Sequence, residues 1–160
     1  MSSPAKTSPR ILCVDDRVTS LEVRRALLMQ MGYAVLIASD PPSALDILAK
    51  VAVDLVVLDY SFPGQMSGEE LARVIRAKSP ELPLIMLSGY PDLPETAKDS
   101  VDVLILKGAG PPTELVNAIA SLLGEAPPHP PTTFENQELL QRSKDLLDRG
   151  RGQRAAKDKS

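Results

Sequence analysis

Five short apolar runs punctuate the chain: Ile11–Val14, Ala34–Ile37, Leu55–Leu58, Leu84–Leu87 and Val103–Leu106. They alternate weakly and are rich in Val, Ile and Leu, the pattern of strands covered on both faces of a parallel sheet. The segments between them place apolar residues at helical spacing. Val18, Leu21, Leu28 and Met31 mark one face of a first helix, and Gly32 stands where a helix commonly ends. Asp40 and Pro41 predict an N-cap and first helical residue ahead of Leu45 and Leu48. Ser67 and Glu70 have capping-box spacing and open a third helix striped by Leu71, Val74 and Ile75. After Pro111 and Pro112, the residues Leu115, Ala118, Ile119 and Leu122 form the clearest stripe of all. Pro91 and Pro94 leave only Glu95–Ser100 for a fourth helix, which is therefore expected to be short.

Strands alternating with helices from Ile11 to Leu123 predict an α/β domain, a doubly wound five-stranded parallel sheet with right-handed crossovers and helices on both faces. A chain of 160 residues supports one such core, followed by a C-terminal tail. The domain is expected to span 10–124, after a disordered start at 1–9. Pro127, Pro128, Pro130 and Pro131 surround the single histidine, His129, and predict an extended linker over 125–131. Thr132 and Glu135 repeat the capping-box spacing, and Leu139, Leu140, Leu146 and Leu147 supply the apolar face of an amphipathic helix over 132–148. The basic stretch at 149–160 has no large apolar residue and reads as disordered.

Charge and cysteine content remove several classes of function. A net charge of -3 gives the chain no overall attraction for nucleic acid or an anionic membrane. No apolar run approaches the roughly 18 residues that would span a bilayer. The lone Cys13 excludes an internal disulfide, so a cytoplasmic location is expected, and the thiol itself reads as a small core residue. The stretch after Gly124 is too short for a helix-turn-helix, so no DNA-binding domain and no membrane partner are expected.

In an open parallel sheet the ligand crevice lies beyond the carboxyl ends of the strands. There the sequence places Asp15 and Asp16 after the first run, Asp59 after the third, Ser88 after the fourth and Lys107 after the fifth. Taken singly, a strand-end Asp or Ser is usually a turn or cap residue, and a lone Lys is usually a solvated charge. Together they are complementary. Three crowded carboxylates repel one another and suit a hard divalent cation, and Mg²⁺ fits best because it takes oxygen ligands and retains waters. A carboxylate beside Mg²⁺ and a lysine can attack phosphorus, since both neutralise the transferred phosphoryl group. Asp59 is the candidate nucleophile.

Ile11-Leu12-Cys13-Val14-Asp15-Asp16, Leu55-Val56-Val57-Leu58-Asp59 with Pro63 and Gly68, Leu87-Ser88-Gly89 and Leu106-Lys107 together resemble the signature of bacterial response-regulator receivers. The resemblance covers about 10–124. It implies a flavodoxin-like fold with strand order 2-1-3-4-5, and a phosphorelay in which a sensor histidine kinase or phosphotransfer protein phosphorylates Asp59. It further implies that Asp16 binds Mg²⁺ directly, that Asp15 binds it directly or through water, and that Asp59 and the Ser61 backbone carbonyl complete the protein ligands. Ser88 and Lys107 would then bond the phosphoryl group and shift the protein towards an active form. An unidentified downstream protein is the expected output partner, and a homodimer is a second mode of association open to it.

Three departures concern the output face. Leu104 stands where the family usually has an aromatic switch residue, Gly108 replaces a common proline, and the fourth helix is short. The loop from Pro63 to Gly68 is also slightly long, and Tyr90 is placed to shield the phosphorylated residue from water. Two other readings compete. A Mg²⁺-dependent phosphotransferase or phosphatase with an Asp nucleophile would commonly carry a second carboxylate two residues on, where this chain has Ser61. An unphosphorylated interaction module would not need the full acidic set. The expected protein is a phosphoacceptor rather than an enzyme.

Overall fold

The computed structural model describes residues 8–111 and 113–128. The elements follow one another as β1 (Arg10–Val14), α1 (Val18–Gln30), β2 (Ala34–Ala38), α2 (Pro41–Lys50), β3 (Leu55–Asp59), α3 (Gly68–Lys78), β4 (Leu84–Ser88), α4 (Glu95–Asp99), β5 (Val103–Leu106) and α5 (Thr113–Leu123). All strand pairs are parallel, in the order β2-β1-β3-β4-β5. This is the flavodoxin-like α/β arrangement. The helix expected over 132–148 and the basic stretch at 149–160 lie outside the described residues. Of the expected linker, 125–128 has no regular secondary structure.

The sheet sorts its residues by parity. Ile11, Cys13, Leu55, Val57, Ile85, Leu87 and Ile105 face one side, where Leu21, Leu28 and Met31 of the α1 segment and Leu115, Val116 and Ile119 of α5 cover them. Leu12, Val14, Val56, Leu58, Leu84 and Met86 face the other, against Ala44 of α2, Leu71, Ala72 and Ile75 of α3 and Ala97 of α4. Two buried faces explain why the strands read as continuous apolar runs.

The caps form as the sequence predicts. Asp40 accepts from the Ser43 amide at 2.7 Å, with prolines in the first turn of α2. Ser67 and Glu70 exchange the two bonds of a capping box, at 3.2 and 3.3 Å. The proline-rich segment reduces α4 to five residues. Val18 departs from the expected stripe and is 58% exposed. It is the first residue of α1, four residues after the end of β1. Arg24 lies on the buried side of the same helix, three residues after Leu21 and four before Leu28.

Two glycines matter for the site. A Cβ on Gly68 would run into the Asp59 carbonyl oxygen and stand 2.7 Å from Tyr60 Cα, so only glycine lets α3 start against the end of β3. The Gly68 amide donates to the Tyr60 carbonyl at 2.7 Å. Gly108 has φ of +78°, a conformation closed to proline, and it carries the turn after β5.

Candidate functional site

β1 and β3 are neighbours at the place where the chain's direction of travel across the sheet reverses: α1 leads outward to β2, and α2 leads back past β1 to β3. Crevices for ligands form at such switch points, beyond the carboxyl ends of the strands. Asp15, Asp16 and Asp59 meet there, each offering an oxygen within 4.8 Å of the others'. Asp15 is fully buried and Asp59 nearly so, whereas Asp16 is exposed.

Each buried carboxylate is held from more than one side. Asp59 Oδ2 accepts from Lys107 Nζ at 2.9 Å, and its Oδ1 lies 3.5 Å from the Ser61 amide. Asp15 Oδ1 accepts from the Arg17 amide at 3.0 Å. Its Oδ2 lies 3.4 Å from Arg24 NH2 and 3.8 Å from Lys107 Nζ. Partial burial raises the Asp16 carboxyl above its ordinary range, followed by the charge of Asp15, a hydrogen bond with Asp15 and the charge of Asp59; Arg17 opposes the rise. An oxygen-only donor set that crowds negative charge fits a hard divalent cation. Cys13 stays inert beside it: burial pushes its thiol up to about 11, against the lowering effect of Arg24 and with a further push from Asp15.

Ser88 sits at the same edge, since the Lys107 amide donates to its carbonyl at 2.7 Å and the Tyr60 amide donates to the Leu87 carbonyl at 2.9 Å. Its hydroxyl does not face Asp59 as a free donor. Oγ accepts from the Tyr90 amide and donates to the Tyr90 carbonyl, both at 2.9 Å. Tyr90 itself is 62% exposed. Leu104 is half-buried and packs with the α2, α3 and α4 layer.

Residues 11–120 match the model of the response regulator receiver domain. The chain belongs to this family. The receiver is 34% identical over 152 residues to response regulator MprA of Mycolicibacterium vanbaalenii, covering 92% of this chain and 56% of that protein. It is 34% identical over 149 residues to MprA of Mycobacterium tuberculosis, covering 93% and 55%. The chain thus spans about half the length of these curated relatives. Among solved structures, it resembles a CheY-like receiver from Methanospirillum hungatei, with a TM-score of 0.67 and 28% identity over 73% of this chain and 94% of that one. It also resembles TrrA of Thermotoga maritima, solved in complex with Mg²⁺ and BeF, with a TM-score of 0.64 and 31% identity over 71% and 98%. The receiver therefore belongs to two-component signalling. No helix among its described residues is long and apolar enough to cross a membrane.

Arg24 is the site residue that sequence reasoning passed over. A signal was present, because a cation three residues from Leu21 and four from Leu28 falls on the apolar stripe of α1.

Proposed function

We propose that this receiver is a phosphorylation switch in which Asp59 accepts a phosphoryl group from a sensor histidine kinase or phosphotransfer protein, with Mg²⁺ as cofactor. The observation that carries this reading is the Asp59 carboxylate, bonded to Lys107 at 2.9 Å and grouped with Asp15 and Asp16. Bound between these carboxylates, with the Ser61 carbonyl as a further oxygen donor, Mg²⁺ would neutralise charge on the entering phosphoryl group. The TrrA complex with Mg²⁺ and BeF supports that choice of metal by analogy.

The protein's own residues then do the following. An Asp59 oxygen forms a bond to phosphorus as the bond from phosphorus to the donor breaks, and the electron pair leaves with the donor. Lys107 transfers its charge-assisted contact from the free carboxylate to the phosphoryl oxygens. Ser88 must give up its closed pair of bonds with the Tyr90 backbone before its hydroxyl can donate to the phosphoryl group. That exchange links the chemistry at Asp59 to the Gly89–Pro94 segment and so to α4. Leu104 has no ring hydroxyl to exchange environments, so propagation runs through this segment and on to a downstream protein partner. Asp59 is an acceptor here, not the nucleophile of an enzyme turning over an external substrate.

The test is intact-mass analysis after incubation with a small acyl-phosphate donor. A single labile phosphoryl adduct is expected with Mg²⁺ and none with EDTA. Metal-independent labelling would overturn the reading.

A further inference from the structure

We infer that Arg24 is a built-in counter-cation of the acidic site, which holds Asp15 in the metal-free protein and opposes the binding of a divalent cation. This rests on the metal-binding reading above. The Arg24 side chain is only 10% exposed, and NH2 reaches the fully buried Asp15 at 3.4 Å. NH1 is buried with no hydrogen-bond acceptor among the described residues. A buried guanidinium with one long contact and an unsatisfied nitrogen is costly to keep, and an apolar residue at this point of the α1 stripe would pack without that cost. Its compensation is electrostatic. Without Arg24, the buried Asp15 and Asp59 carboxylates would keep one ion-pair partner, Lys107, among the described residues.

The two cations differ in freedom. Lys107 is a third exposed on a flexible stem and can shift its contacts. Arg24, only 10% exposed, has no such freedom. Any divalent cation at Asp15 must therefore bind beside a fixed positive charge. A unit charge and a double charge ~6 Å apart disfavour each other by about tenfold in a binding constant even at the dielectric of water. The site is thereby biased towards its metal-free form.

The experiment is a calorimetric Mg²⁺ titration of the full chain near neutral pH, paired with thermal unfolding in EDTA. Arg24→Leu is expected to bind Mg²⁺ about tenfold more tightly and to melt lower than wild type without metal. Arg24→Lys keeps the charge and is expected to bind within about threefold of wild type. Where Arg24→Leu does not fold without metal, Arg24→Gln carries the same expectation of tighter binding. A merely structural role for Arg24 would lower stability without tightening the metal. Unchanged or weaker Mg²⁺ binding in the neutral variant would overturn the inference while leaving the metal site standing. A wild-type chain with no saturable Mg²⁺ binding would overturn both.

Discussion

Asp16→Asn should stabilise the metal-free protein at neutral pH and blunt its response to Mg²⁺. The candidate ligand oxygens of Asp15, Asp16 and Asp59 lie within 4.8 Å of one another. At such a separation two like charges repel by about 0.9 kcal/mol in a water-like dielectric, the appropriate value for the exposed Asp16. Two such repulsions, partly offset by the cations nearby, leave a net gain of about 1 kcal/mol on removing the charge. For a domain of this size that is roughly 3–6 °C in melting temperature. The sign follows from the raised Asp16 carboxyl, whose causes are burial first and then the Asp15 and Asp59 charges. A group that holds its proton more tightly in the folded state makes stability fall as pH rises from the ordinary value of 3.8 through the raised one. The two proteins should therefore melt alike in acid and diverge towards neutrality. Melting curves in EDTA across that range check the pH leg. Adding Mg²⁺ should then raise the wild-type midpoint by mass action and the variant's by less. An Asp16→Asn protein that melts at or below wild type in EDTA at neutral pH would refute the reasoning.

Gly68→Ala forces a methyl group onto the Asp59 carbonyl and Tyr60 Cα, so it should cost about 2–4 kcal/mol in urea unfolding; a loss within about 0.5 kcal/mol would show that α3 can retreat freely. Ser67→Ala removes half of the α3 capping box and should lower stability by about 1 kcal/mol, measured in the same way. Asp40 has its carboxyl lowered by the Ser43 amide it accepts from, so its contribution is present above the ordinary carboxylate range and lost as pH falls through the lowered value. Asp40→Ala should thus melt below wild type at neutral pH, and the two midpoints should converge in acid.

The sheet was legible because its residues are sorted by parity onto two buried faces, which turns each strand into an apolar run, while Asp40, Ser67 and the proline pairs bracket the helices. Asp15, Asp59, Ser88 and Lys107 stand at or just after strand ends, so the parallel sheet alone brings them to one edge. What sequence did not reveal lies where tertiary packing overrides local pattern. Val18 fits the α1 stripe but is exposed at the first position of the helix, and Phe62 lies in a loop yet is buried with the α2–α4 layer. Arg24 interrupts the apolar stripe of α1, but only the docking of that helix brings its guanidinium to Asp15. The Ser88 hydroxyl takes the turn role usual for a lone strand-end Ser, and its choice of the Tyr90 backbone as partner depends on the backbone path after β4.

The residue that carries the phosphoryl group can be read chemically. Treating the Mg²⁺- and donor-treated protein with borohydride reduces an aspartyl phosphate to homoserine, and peptide mass spectrometry then reads the position. Homoserine is expected at position 59 alone, absent when the donor is omitted and absent in Asp59→Asn. Reduction at position 15 or 16 in the wild-type chain, or an adduct that survives in Asp59→Asn at wild-type yield, would contradict that expectation.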